Sequence, residues 1–153
     1  MESKNKAYQA CLSYLSRRMY FSYELKQKLM ENGFEAKEAE QGVLQCTEGL
    51  LINDEDNFRF FIKDWQDVKR KGKQSLIVKL KEKGIPKDIV LEMIERYYDL
   101  EKESQVVKEW IRLKKEKQSN SIAKAESRAK IERFLYQRGF LSNSYRNELE
   151  EDR

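Results

Sequence analysis

Three groups of residues in this 153-residue chain have the types and spacing to do chemistry. Asp54 with Asp56, and Asp64 with Asp67, could share a proton or a divalent cation. Cys11 and Cys46 could pair or bind a soft metal, and clustered lysines and arginines could hold an oxyanion. Histidine is absent, which removes the commonest general base and the usual partner of a Ser or Cys nucleophile. The first carboxylate pair opens a predicted helix and the second falls on a wet helix face, with no third acidic ligand signalled. The cysteines, at positions 11 and 46, have no C-x-x-C or Cys/His spacing and fall on apolar helix faces. Reduced, buried, structural thiols are expected. No Gly-rich phosphate loop, G-x-S-x-G or H-E-x-x-H is present. The expectation is a non-enzyme without metal or cofactor.

The basic clusters remain. The chain is 38% charged for a formal excess of only +4. Residues 2–52 hold 7 basic and 7 acidic side chains, 53–99 hold 11 and 10, and 100–153 hold 13 and 10. Finer windows separate further. Lys63 to Lys83 carries 8 basic against 3 acidic residues, including Lys69, Arg70, Lys71 and Lys73, and Lys102 to Arg138 carries 11 against 5, including Lys114, Lys115, Lys130, Arg133 and Arg138. Arg17 and Arg18 form a third, smaller group. Such strips would attract phosphates in a salt-dependent, sequence-tolerant way; the competing reading is a solvated helix face offset by neighbouring carboxylates. Tyr8, Tyr14, Tyr20, Phe21 and Tyr23 could stack on bases, but their helical spacing favours packing.

The elements that must position these residues are helical. With one proline, six glycines and 39% apolar residues, amphipathic helices that each bury one stripe are expected. Nine are legible. The first runs from about Ala7 to Arg18, and Ser22 caps the second. Ala39, Val43, Cys46 and Leu50 make the face of the third. Asn53 or Asp54 caps the fourth, Pro86 starts the sixth, and the ninth spans Ser142 to about Glu151. One junction recurs three times, as Leu25, Leu29, Gly33, Phe34, then Leu76, Leu80, Gly84, Ile85, then Ile131, Leu135, Gly139, Phe140. The register continues through Ala39, Val90 and Tyr145, then Val43, Ile94 and Leu149. The spacing predicts an all-α chain of three three-helix repeats, over 1–52, 53–99 and 100–153, stacked into an elongated, curved, solenoid-like array. The start MESKNKAYQ lacks an apolar signal region and no apolar run is long enough to span a bilayer, so a cytoplasmic protein without membrane contact is expected.

These residues resemble the RecX family of regulatory proteins that act on the RecA recombinase. The match runs through Tyr14-Leu15-Ser16-Arg17-Arg18 with Ser22, Glu24, Leu25, Lys28 and Leu29. It continues through Gly49-Leu50-Leu51, Asn53-Asp54, Phe61-Ile62, Gly72, Leu76, Leu80, Lys83, Gly84 and Ile85, and then Lys130 to Leu141. The resemblance implies a modular arc lying in the groove of the RecA filament on single-stranded DNA. There it would suppress ATP hydrolysis, strand exchange and repressor cleavage in the SOS response, and so act in recombination and DNA repair. It carries Arg17, Arg18, Lys28, the run Lys69 to Lys73, Lys130, Arg133 and Arg138 onto the family's basic positions, and Gly33, Gly84 and Gly139 onto its structural glycines. Asn57 and Arg59 depart from the family's aromatic and small residue, and an extra residue lies near Ile52. A monomer is expected, with at most weak direct DNA contact. Two other readings stay open on the residues alone: an autonomous duplex-binding module, and a helical scaffold for another protein.

Overall fold

A computed structural model describes residues 2–118 and 122–151 of the chain. Among them are nine α-helices and no strand: α1 Glu2–Leu15, α2 Ser22–Glu31, α3 Ala36–Glu48, α4 Asp54–Asp67, α5 Lys73–Glu82, α6 Lys87–Tyr97, α7 Leu100–Lys117, α8 Lys124–Gln137 and α9 Ser142–Glu151. The protein is therefore all-α. No helix among the described residues is long and apolar enough to cross a membrane. The chain groups into two compact units, Met1–Phe60 with Leu80–Val90, and Phe61–Lys79 with Leu91–Arg153, whose boundaries fall inside α4, α5 and α6.

In the first unit the core is Cys11, Tyr20, Leu25, Leu29, Ala39, Val43, Cys46 and Ile52, with Tyr8, Tyr14, Leu15 and Phe34 against it. Helices α1 and α3 approach closely because Gly42 faces Ala7: a Cβ on the glycine would come within 2.9 Å of the Ala7 Cβ. Cys11 and Cys46 are free and fully buried. Burial, reinforced by the adjacent Cys46, pushes the Cys11 thiol up to about 12, and burial raises Cys46 as well. Both are neutral packing groups near pH 7.

Three local expectations change. Helix α1 ends at Leu15 rather than Arg18. Ser22 is the first residue of α2, not its cap. Its amide donates to Asp54 Oδ1 at 2.7 Å and its hydroxyl to Asp54 Oδ2, so a carboxylate distant in sequence satisfies the helix end, while Glu24 Oε1 accepts from the Phe21 amide at 3.2 Å. A hydroxyl with so strong an acceptor beside it gains more from that charged partner than from its own backbone. Leu50 lies beyond the end of α3 and is 87% exposed, so it leaves the core face. Phe21 is buried against Phe58, ring centroids 4.6 Å apart. Asn57 is buried because its Nδ2 donates to the Tyr20 carbonyl at 2.9 Å.

In the second unit Val106, Val107, Ile111, Ile131, Leu135, Phe140, Tyr145 and Leu149 form the core, flanked by Trp110 and Phe134. Gln66 fixes the start of α7 by a pair of hydrogen bonds to Asp99, donating from Nε2 to its carbonyl at 2.8 Å and accepting from its amide at 2.9 Å. The Tyr98 hydroxyl donates to Glu103 Oε1 at 2.8 Å inside the core. Burial, then the Glu103 charge, drives that phenol far above its ordinary range. The positions matched across the three junctions are buried throughout: Ala39, Val90 and Tyr145, and Val43, Ile94 and Leu149. Gly33, Gly84 and Gly139 all have positive φ, the left-handed cap conformation glycine adopts without a Cβ penalty. After Gly33 and Gly139 the chain closes with paired bonds, Phe34 N to Leu29 O at 3.1 Å and Phe140 N to Leu135 O at 3.0 Å.

Candidate functional site

The basic run at 69–73 is a loop and the start of a helix, and the way its backbone is tied down is what builds the site. Leaving α4, Lys69 N donates to Asp64 O at 3.0 Å, and Arg70 then takes a left-handed φ of 55°. That conformation is costly for a residue with a Cβ, and three bonds hold it. The Trp110 indole N–H donates to Arg70 O at 2.9 Å, Arg138 Nη2 donates to Lys69 O at 2.9 Å, and Trp65 Nε1 donates to Gly72 O at 3.1 Å. Opposite, Gly72 N donates to Arg138 O and Gln74 N to Gly139 O, both at 2.9 Å, while Ser75 Oγ donates to Arg138 O at 3.0 Å. The two backbones pass so closely that a Cβ on Gly72 would lie 2.4 Å from Gly139 O.

This knitting brings residues far apart in sequence around four aromatic rings. Arg70 and Arg138 lie over Trp110, their guanidinium carbons 5.2 and 4.6 Å from its centroid. Arg138 and Lys114 lie over Phe134, at 5.4 and 4.0 Å, and Trp110 meets Phe134 edge to face at 5.0 Å. Lys69 and Lys71 lie over Trp65 at 5.6 and 5.3 Å, and Lys73 over Tyr98 at 5.6 Å. Of the expected site residues, Lys69, Arg70, Lys71, Lys73, Lys114 and Arg138 therefore share one basic and aromatic surface. Glu109 offsets it at one point, 3.4 Å from Arg70 Nη2. Burial, with the Arg70 charge next to it, lowers Arg138 below the ordinary guanidinium range, and its Nε is buried without a hydrogen-bond partner. Two like charges stacked on one indole leave a field that a phosphate or carboxylate would relieve.

The remaining expected residues lie elsewhere. In the first unit Arg17 is exposed. Arg18 sits 3.6 Å over Tyr20 and pairs with Glu24 at 2.9 Å, and Lys28 lies 5.9 Å over Tyr14. Lys115 adjoins Lys114 on α7, half-buried; Lys130 pairs with Glu126 at 3.8 Å on the exposed side of α8, where Arg133 is also exposed. Trp65, Trp110 and Phe134 read from the sequence as helix faces alone. The overlooked signal is an aromatic with a cation four residues on: Trp65 and Lys69, Trp110 and Lys114, Phe134 and Arg138. Among the described residues no three His, Cys, Asp or Glu side chains form a group able to hold a metal ion.

Comparison with known proteins bears on the sequence and the fold as a whole. Residues 7–42 match the RecX first three-helix domain. The chain is 28% identical over 139 residues to the Regulatory protein RecX of Caldanaerobacter subterraneus subsp. tengcongensis, covering 91% of this chain and 64% of that protein. It is 34% identical over 93 residues to the Regulatory protein RecX of Prosthecochloris aestuarii, covering 60% of this chain and 61% of that one. The chain thus spans a little under two thirds of the length of these relatives, both named as regulatory proteins. The crystal structure of RecX from Lactobacillus salivarius superposes with a TM-score of 0.81 at 19% identity, over 98% of this chain and 96% of that one. A second crystal structure of regulatory protein RecX superposes at 0.71 and 20% identity, over 94% and 70%. With an N-terminal match to the RecX first three-helix domain, sequence likeness to proteins named Regulatory protein RecX beyond it and the fold of RecX crystal structures, the chain is similar to the RecX regulatory proteins.

Proposed function

We propose that the chain is a non-enzymatic regulator that binds the RecA filament on single-stranded DNA and inhibits its ATPase, strand exchange and coprotease activity, in the cytoplasm and as a monomer. The three-helix repeats 1–52, 53–99 and 100–153 are its modules, and the basic residues named above, led by Lys69 to Lys73 and Arg138, are its contacts. The single observation carrying this reading is the stacking of Arg70 and Arg138 on Trp110, a cationic surface on a hydrogen-bonded loop in a chain similar to RecX proteins. Such a surface takes phosphodiesters without reading their sequence. Titrating the protein into RecA filaments assembled on a labelled oligonucleotide tests it. Saturable binding to the filament, with much weaker binding to the bare oligonucleotide, supports the reading; equal affinity for bare DNA returns it to an autonomous nucleic-acid module.

A further inference from the structure

Helix α3 ends in the same bonding pattern as α2 and α8 but with the wrong residue. Leu50 N donates to Thr47 O at 3.0 Å and Leu51 N to Cys46 O at 2.9 Å, yet the left-handed position is a leucine, φ 61°, where those helices have Gly33 and Gly139. The next residue after those glycines turns inward, Phe140 fully; here Leu51 is 49% exposed and the chain reaches the core only at Ile52. Leu50, at 87% exposure, gains almost nothing from the fold in return for its backbone strain. Glycine at position 50 would give the same cap at lower cost. A strained, solvent-facing leucine is the kind of local misfit that function maintains.

The surroundings say what it meets. Leu44, one turn before the end of α3, is 54% exposed, so three leucines are exposed over eight residues. Between Lys37 and Arg59 the sequence has no basic residue and six acidic ones, Glu38, Glu40, Glu48, Asp54, Glu55 and Asp56. Glu48 is exposed in the last turn of α3, where a negative charge opposes the helix dipole. Asp54 accepts from Ser22, Glu40 pairs with Lys26 and Asp56 with Arg59, so the acidic side chain nearest to Leu50 in sequence is Glu48. We infer that Leu50, flanked by Leu44 and Leu51 on this acidic segment, is an apolar knob that docks into a protein socket bordered by lysine and arginine. On the filament reading above, on which this rests, that socket belongs to the RecA protein rather than to the DNA.

The test uses the full chain, fluorescently labelled, with RecA filaments on single-stranded DNA. Leu50→Gly and Leu50→Asn both suit a left-handed cap, so each is expected to keep its helical circular dichroism, and Leu50→Gly to melt at or above the wild-type temperature. Both should bind filaments roughly tenfold or more weakly, as expected when an apolar anchor is removed from an interface, and Glu48→Lys should weaken binding too. Wild-type affinity in both Leu50 variants would overturn the knob while leaving the filament reading standing. Tighter binding by Glu48→Lys would assign the face to nucleic acid and overturn it. Absence of filament binding by the wild-type chain would remove both.

Discussion

Trp110 holds Arg70 twice: its indole N–H donates to the Arg70 carbonyl at 2.9 Å, and the Arg70 guanidinium lies 5.2 Å from the centroid of the same ring. One residue thus fixes both the strained backbone of the basic loop and the position of its charge. Trp110→Phe keeps a ring but loses the donor, and should cost about 1 kcal/mol of stability. Trp110→Ala loses the platform as well and should cost about 2–4 kcal/mol. Urea unfolding of both variants checks the order, and filament affinity should fall further for alanine than for phenylalanine.

The three cap glycines should not be equally sensitive. A Cβ on Gly33 meets nothing within 4 Å, whereas one on Gly139 would lie 2.1 Å from Ser75 Oγ and 2.6 Å from Ser75 N. Gly33→Ala should therefore cost only the left-handed penalty, about 1–2 kcal/mol. Gly139→Ala should cost distinctly more and loosen the basic loop, because the Ser75 backbone cannot step aside without releasing Gly72 and Gln74. Denaturant midpoints for the pair, with filament affinity measured on each, give the comparison.

Acid should weaken the first unit through Glu24. Burial alone would raise this carboxyl, but hydrogen bonds from Arg18 at 2.9 Å, Lys83 at 3.1 Å and the Phe21 amide outweigh it, so it is held below the usual carboxylate range. A group whose folded pKa is depressed adds stability above its unfolded value and loses it as pH falls through the folded one. Stability measured from about pH 7 down to about pH 3 should fall less steeply in Glu24→Gln than in the wild type, with the variant the less stable at neutral pH. Parallel curves would show that the carboxylate is not linked to folding.

Charge reversal at Lys69, Arg70, Lys71 and Lys73 together should leave the helical circular dichroism unchanged, since none of their side chains lies in the core. Filament affinity should drop and its dependence on salt should flatten, because a surface that neutralises fewer phosphates displaces fewer counterions on binding. Unchanged affinity and salt slope would place the binding surface elsewhere.

The helices and their junctions were legible because 3.6-residue periodicity and glycine caps are local signals. The matched series Ala39, Val90, Tyr145 and Val43, Ile94, Leu149 is buried at every position. What was not legible depends on tertiary partners. Ser22 looks like a cap until Asp54 arrives to do that work for it. Leu50 continues the apolar spacing of α3, and nothing in that spacing says the helix stops two residues earlier. At the candidate site the cations could be read as runs, but their grouping could not. Arg70 and Arg138 meet on Trp110 only because Gly72 and Gly139 allow two loops 67 residues apart to touch. The aromatic platforms were hidden by the same periodicity that revealed the helices.

Regulation of the RecA filament is tested by RecA's DNA-dependent ATPase, measured with this protein titrated from substoichiometric to micromolar concentrations. The expected result is a dose-dependent fall in hydrolysis that the Lys69, Arg70, Lys71 and Lys73 charge-reversed variant fails to produce. An ATPase rate unaffected by the wild-type protein at concentrations matching RecA would contradict it.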